Sequence, residues 1–267
     1  MLFLIYAVLG VFAGIIAGLF GVGGGIIIVP VLIYSFGLLG FPSEHLVHMA
    51  IATSLACIVT TSVSSIYAHH KKGAVNWSLV ALMAPGIALG SWLGGLTAVG
   101  IKGEHLQIII GVFALYTAWR MWNKSKQEAV QKSLTPTLLV PVSAGIGWAS
   151  AIFGIGGGSL TVPFLSSRGV LAQKAVACGA ALGFPIALVG TLSFIYSGLG
   201  MESLPEKSLG LVYWPAWIGI AVFSTLSARF GAQLAHKLSP ELLQRCFAAF
   251  LCLVGLNFML SGIMDSI

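Results

Sequence analysis

Gly21–Pro30 reads GVGGGIIIVP, and Gly154–Pro163 reads GIGGGSLTVP. The second copy starts 133 residues after the first, half of a 267-residue chain. Each copy is a glycine cluster, a short apolar run and a proline. Similarity extends outward from both. SSIYAH at Ser64–His69 is similar to SFIYSG at Ser193–Gly198. Gly94–Ala114 is similar to Gly231–Leu251, with Gly94 over Gly231, Glu104 over Glu241, Gln107 over Gln244 and Phe113 over Phe250. Between the copies lies the polar stretch Asn123–Ser133, NKSKQEAVQKS. The expected organisation is an N-terminal repeat 1–122, a cytoplasmic linker 123–135 and a C-terminal repeat 136–267.

Composition sets the environment. The chain is 58% hydrophobic and 7% charged, with a mean hydropathy of +1.00. A soluble domain carries about 25% charged residues, so this chain lacks the polar surface to face water. An integral membrane protein is expected. Its 34 glycines are roughly twice the usual share of about 7%, and they suit close helix packing and broken helices in a bilayer. The formal charge of +6 does not indicate nucleic acid, because the basic residues flank apolar spans instead of forming a face with aromatics. Cys57, Cys178, Cys246 and Cys252 lie in apolar spans without a CxxC pair, so they read as packing residues rather than a metal or redox site. The apolar start from Leu2 lacks a basic region before it and reads as a retained helix.

A membrane helix needs about 20 apolar residues. Spans are expected at 2–20, 46–68, 76–98, 105–122, 136–153, 174–197, 209–235 and 241–263. Two shorter segments follow the glycine clusters. The one at 158–167 would reach only about 15 Å, half the hydrocarbon thickness. The one at 24–40 is expected to be irregular and to break near Pro30. With the Lys71–Lys72 loop inside, eleven basic residues fall on the cytoplasmic side and only Lys102 and Lys207 outside, the bias that orients inner-membrane proteins. Both termini are then extracytoplasmic. The first half starts outside with five segments and the second starts inside with five. The expected fold is therefore all-α: ten transmembrane or half-membrane segments as two inverted five-segment repeats with re-entrant or broken glycine-rich hairpins.

GVGGGIIIVPVL, HMAIATSLACIVTTSVSSIYAHHKKGAVNW, GIGGGSLTVPFL and ALGFPIALVGTLSFIYSG together resemble the sulfite exporter TauE/SafE family, also called the 4-toluene sulfonate uptake permeases. The resemblance spans both halves. It implies secondary transport of sulfur-containing anions such as sulfite, sulfoacetate or other organosulfonates, with other organic anions assigned to some members. It implies roles for Gly21, Gly23, Gly24, Gly25 and Pro30, for Gly154, Gly156, Gly157, Gly158 and Pro163, and for the Ala52-Thr53-Ser54 step. It leaves export against import open.

Elementary electrostatics fits an anionic cargo. A helix start carries about four unpaired N–H groups and roughly half a positive charge. Two glycine turns, opening helices from opposite membrane sides, would aim both ends at one midplane point and hold an oxyanion without a buried lysine. Thr53, Ser54, Ser159 and Thr161 would add hydroxyl donors. The bland reading of these residues is helix packing and hydroxyls bonded to their own helix carbonyls.

Arg229 lies about 9 Å inside the cytoplasmic end of its span, placed either to snorkel or to attract an anion at the inner mouth. His48, near the outer end of its helix, is a candidate for gating or titration. All seven acids lie in loops or at span ends. A protein-borne proton relay through the membrane is therefore not expected, and a coupling ion would be a proton carried by the substrate or another ion. The expected partners are a small anionic substrate and the bilayer, with a homodimer left open. No cofactor, metal site or catalytic constellation is expected. The rival readings are an anion channel and a carboxylate transporter.

Overall fold

The computed structural model describes residues 2–20, 25–123, 135–235 and 240–266. These residues form a helical bundle with one short hairpin of strands among them. In chain order the elements are α1 (Leu2–Phe20), α2 (Gly25–Leu38), α3 (Ser43–Lys71), α4 (Trp77–Val99) and α5 (Gly103–Trp122). They continue with α6 (Pro136–Phe153), α7 (Gly157–Ser167), α8 (Ala172–Gly198), β1 (Ser208–Leu209), β2 (Val212–Tyr213), α9 (Trp214–Ala235) and α10 (Pro240–Ser266). Among the described residues, α3, α4, α6 and most of α8 are long and apolar enough to cross a membrane. The protein is an α-helical membrane protein.

Two expectations need correction. The helix after Gly25 does not break at Pro30, because α2 runs through it to Leu38. Pro30 removes one backbone donor, but it is buried among neighbouring helices, where a freed carbonyl is tolerated. The span expected from 209 begins at Trp214 instead. Ser208 pairs with Tyr213 and Leu209 with Val212 in an antiparallel hairpin. Gly210, at φ 53, occupies the first position of its two-residue turn, the place a type II′ hairpin reserves for glycine. Pro215 then sits in the first turn of α9, where a missing N–H costs little.

The element starts follow local chemistry. Asn76 caps α4, its side chain accepting from the Leu79 N–H at 3.2 Å. Pro136 opens α6 at a position that needs no donor.

The packing is arranged around α3. Twelve consecutive residues, Val47–Ile58, are all buried, so this half of the helix is surrounded. Beyond Ile58 the helix is exposed at Thr60, Val63, Ser64 and Tyr67. α2, α8 and α9 pack on it. The most extensive helix pairs are α1 with α9, α4 with α6, and α5 with α10. Small residues bring these backbones together: Gly14 lies against Ser224, Gly147 against Ile87, and Gly111 against Gly255.

Candidate functional site

The second glycine cluster forms a tight corner between α6 and α7. Gly154 ends α6 at φ 64, a left-handed conformation that costs an L-residue about 1–2 kcal/mol. Gly156 then caps α7 in extended backbone and offers no side chain to its first turn. The Gly157 and Gly158 amides that open α7 therefore lack both an intrahelical acceptor and a side-chain cap, while the Ser159 N–H reaches the Gly156 carbonyl at 3.4 Å.

Gly25, the first residue of α2, meets this corner directly. A Cβ built on Gly25 would stand 2.7 Å from the Gly154 carbonyl oxygen and 2.9 Å from Ile155 Cα. Only glycine permits that approach. Ile58, near the middle of α3, packs under both clusters: its side chain would lie 2.8 Å from a Gly25 Cβ and 3.4 Å from a Gly156 Cβ. Ser54, one turn earlier, donates its hydroxyl to the Gly154 carbonyl at 2.9 Å. Gly25 and the sequence-distant Gly154–Gly156 corner thus meet halfway along α3.

On the other flank, α7 presses against α8. A Cβ on Gly157 would run into the Gly179 carbonyl and stand 2.7 Å from the Gly183 nitrogen. The Gly179–Gly183 spacing is a GxxxG step that admits such contact. Its four-residue spacing is a signal legible in the sequence. In α7, Ser159 Oγ and Thr161 Oγ1 are buried without a hydrogen-bond partner among the described residues. Ser150 of α6 and Thr191 of α8 have hydroxyls in the same condition, and neither was singled out from sequence. Buried hydroxyls are nearly always paired, so Ser159 and Thr161, both in the first turns of α7, leave polar capacity unused beside the uncapped amides.

The remaining expected residues lie as follows. Gly21, Gly23 and Gly24 fall outside the described residues, as does the Arg229 side chain. Gly158 is half-buried in the first turn of α7. The Thr53 hydroxyl faces away from the turns and accepts from the Tyr213 N–H at 3.1 Å. His48 is apart from the site: its Nε2–H donates to the Ala98 and Ile101 carbonyls at 3.1 and 2.9 Å, tying α3 to the end of α4. A crevice beside the turns, lined by Ile26, Val29, Pro30, Phe113, Phe153 and Ile155, is apolar. Its one hydroxyl, on Thr117, already donates to the Phe113 carbonyl at 2.8 Å. The free donors lie at the start of α7. Among the described residues, no cluster of His, Cys, Asp or Glu is able to hold a metal ion.

Residues 6–258 match the family described as Sulfite exporter TauE/SafE. A "Probable membrane transporter protein" of Haemophilus influenzae is 39% identical over 258 residues, covering 96% of this chain and 98% of the relative. A "Probable membrane transporter protein" of Methanocaldococcus jannaschii is 28% identical over 257 residues, covering 95% and 94%. One of Bacillus subtilis is 25% identical over 283 residues, covering 98% and 99%. No solved structure matches the chain. The family match over nearly the whole length, with the apolar helices, shows a membrane transporter and not an enzyme: the chain belongs to the sulfite exporter TauE/SafE family.

Proposed function

We propose that the protein carries a small sulfur oxyanion or organosulfonate across the inner membrane by alternating access, binding it where the two glycine turns meet. The observation that carries this reading is the contact of Gly25 with Gly154 and Ile155 near the middle of α3. Irregular backbone at membrane depth is tolerated where it serves a binding site. A tetrahedral or pyramidal oxyanion suits a cluster of uncapped amides and hydroxyls: Gly157, Gly158, Ser159 and Thr161, with Gly25 packed against the corner that presents them. A cationic side chain is not needed.

The architecture we infer is two inverted five-segment repeats, 1–122 and 136–267, joined by the linker 123–135, with both termini extracytoplasmic. The exchange of partners between halves supports it. α1 packs on α9, and its counterpart α6 packs on α4, the counterpart of α9. Gly14 against Ser224 and Gly147 against Ile87 occupy corresponding places in those pairs. The orientation is supported by the eleven-to-two distribution of basic residues.

The test is uptake by proteoliposomes of sulfite, sulfoacetate, taurine and matched carboxylates. Saturable sulfite flux accelerated by sulfite on the opposite side is expected. A strict preference for carboxylates would remove the sulfur assignment, and flux without such acceleration would favour a channel. An imposed pH gradient tests coupling to a substrate-borne proton, and indifference to it would point to another ion.

A further inference from the structure

We propose that residues 199–213, ending in the β1–β2 hairpin, are the gate that closes the glycine turns off from the extracytoplasmic side. This rests on the transport reading above. A connecting loop ordinarily runs over the surface, and this one begins that way, with Glu202, Glu206 and Lys207 exposed. It then turns inward. Leu211, Val212 and Tyr213 are only 1%, 3% and 5% exposed. The corresponding connection in the other half, residues 72–76 between α3 and α4, is far shorter and has no hairpin.

The buried end of the hairpin makes a seal. The Tyr213 ring lies edge-on to Phe41 at 5.0 Å and to Phe36 at 5.7 Å between centroids, and 6.1 Å from Tyr6. Phe36 and Phe41 stack at 4.7 Å. These rings come from α1, from the end of α2 and from the loop after it, so the hairpin gathers three segments of the other half. Thr53, which accepts the Tyr213 N–H, lies ten residues into α3, about 15 Å from its start. Its neighbour Ser54 holds the Gly154 corner. One dipeptide therefore grips both the plug and the proposed binding turn.

The attachment is mainly apolar packing, with few hydrogen bonds. A two-stranded hairpin is marginal by itself. Its exposed limb is tied by the His45 Nε2 and Ser203 Oγ hydrogen bond at 2.9 Å. Its deep limb is tied by the Thr53 bond and a 3.5 Å bond from the Leu211 N–H to the Phe194 carbonyl. The exposed limb, with few buried contacts, is the part that would move first, and displacing the aromatic end would follow.

The test uses full-length protein with Cys57, Cys178, Cys246 and Cys252 replaced by alanine. In the first arm, H45C and S203C are joined by a short bifunctional thiosulfonate, and sulfite flux is measured. At least a tenfold fall is expected, reversed by dithiothreitol. Unchanged flux across the cross-link would overturn the proposal. In the second arm, I51C reports access to the turn, because Ile51 packs on Gly154. A membrane-impermeant thiosulfonate applied from the extracytoplasmic side should label it at least tenfold faster when Tyr213→Ala is added, and no faster with Tyr213→Phe. Equal labelling in all three proteins would also overturn it. Absence of sulfite flux before cross-linking would count against the transport reading instead, and the labelling arm would still decide the gate.

Discussion

Ser54 and Gly154 are joined by a 2.9 Å hydrogen bond from the serine hydroxyl to the glycine carbonyl, across one hundred positions of sequence. That bond fixes the corner at which α6 turns into α7. Ser54→Ala would leave a buried carbonyl unpaired. The expected loss is about 0.5–2 kcal/mol, read as a lower midpoint in denaturant unfolding from detergent, with sulfite flux reduced in the protein that remains folded. An unaltered midpoint would mean that the corner is held by other contacts.

Gly154→Ala should be more severe. Its left-handed backbone adds about 1–2 kcal/mol, and its new methyl would lie 2.7 Å from Val29 Cγ2. The folded yield should fall, as measured by monodisperse protein on size exclusion. Gly157→Ala drives a methyl into the backbone of Gly179 and Gly183. It should push α7 from α8 and abolish flux more than yield. Equal loss of flux and yield would reduce Gly157 to a packing residue.

Ser159→Ala and Thr161→Val separate binding from stability. Both hydroxyls are buried and unpaired, so removing them should leave thermal stability unchanged or slightly higher. Sulfite flux should fall about tenfold in the double variant, as measured in proteoliposomes. A loss of stability with flux intact would assign these hydroxyls a structural task.

His48→Ala should behave in the opposite way. It strips the donor from the Ala98 and Ile101 carbonyls and should cost about 1–3 kcal/mol. The KM for sulfite should not change, because His48 is remote from the glycine corner. A shifted KM would bring His48 into the transport path.

Much of this was legible in the residues because the signals are local. The second glycine cluster announces the corner before α7. The ten-residue apolar run after Gly158 gives a helix too short to cross, as in α7. What escaped depends on packing. Apolar content extended the ninth span back to 209, since Leu209, Leu211, Val212 and Tyr213 are as apolar as a helix start. Gly210 and the pairing of Ser208 with Tyr213 decide otherwise. Pro30 was read as a break because its ring removes a helix bond, yet burial among neighbours carries α2 through it. Thr53 was grouped with Ser54 by adjacency. Successive helix positions point about 100° apart, which is why one hydroxyl serves the corner and the other the hairpin.

The central claim is that backbone amides at the glycine corner hold the anion. Anomalous diffraction from crystals soaked in selenite, the heavier analogue of sulfite, tests it directly. The account predicts a selenium peak whose oxygens lie about 3 Å from the Gly157 and Gly158 amides, displaced by sulfite. A peak confined to the basic Lys71–Lys72 loop, or none at the corner, would contradict it.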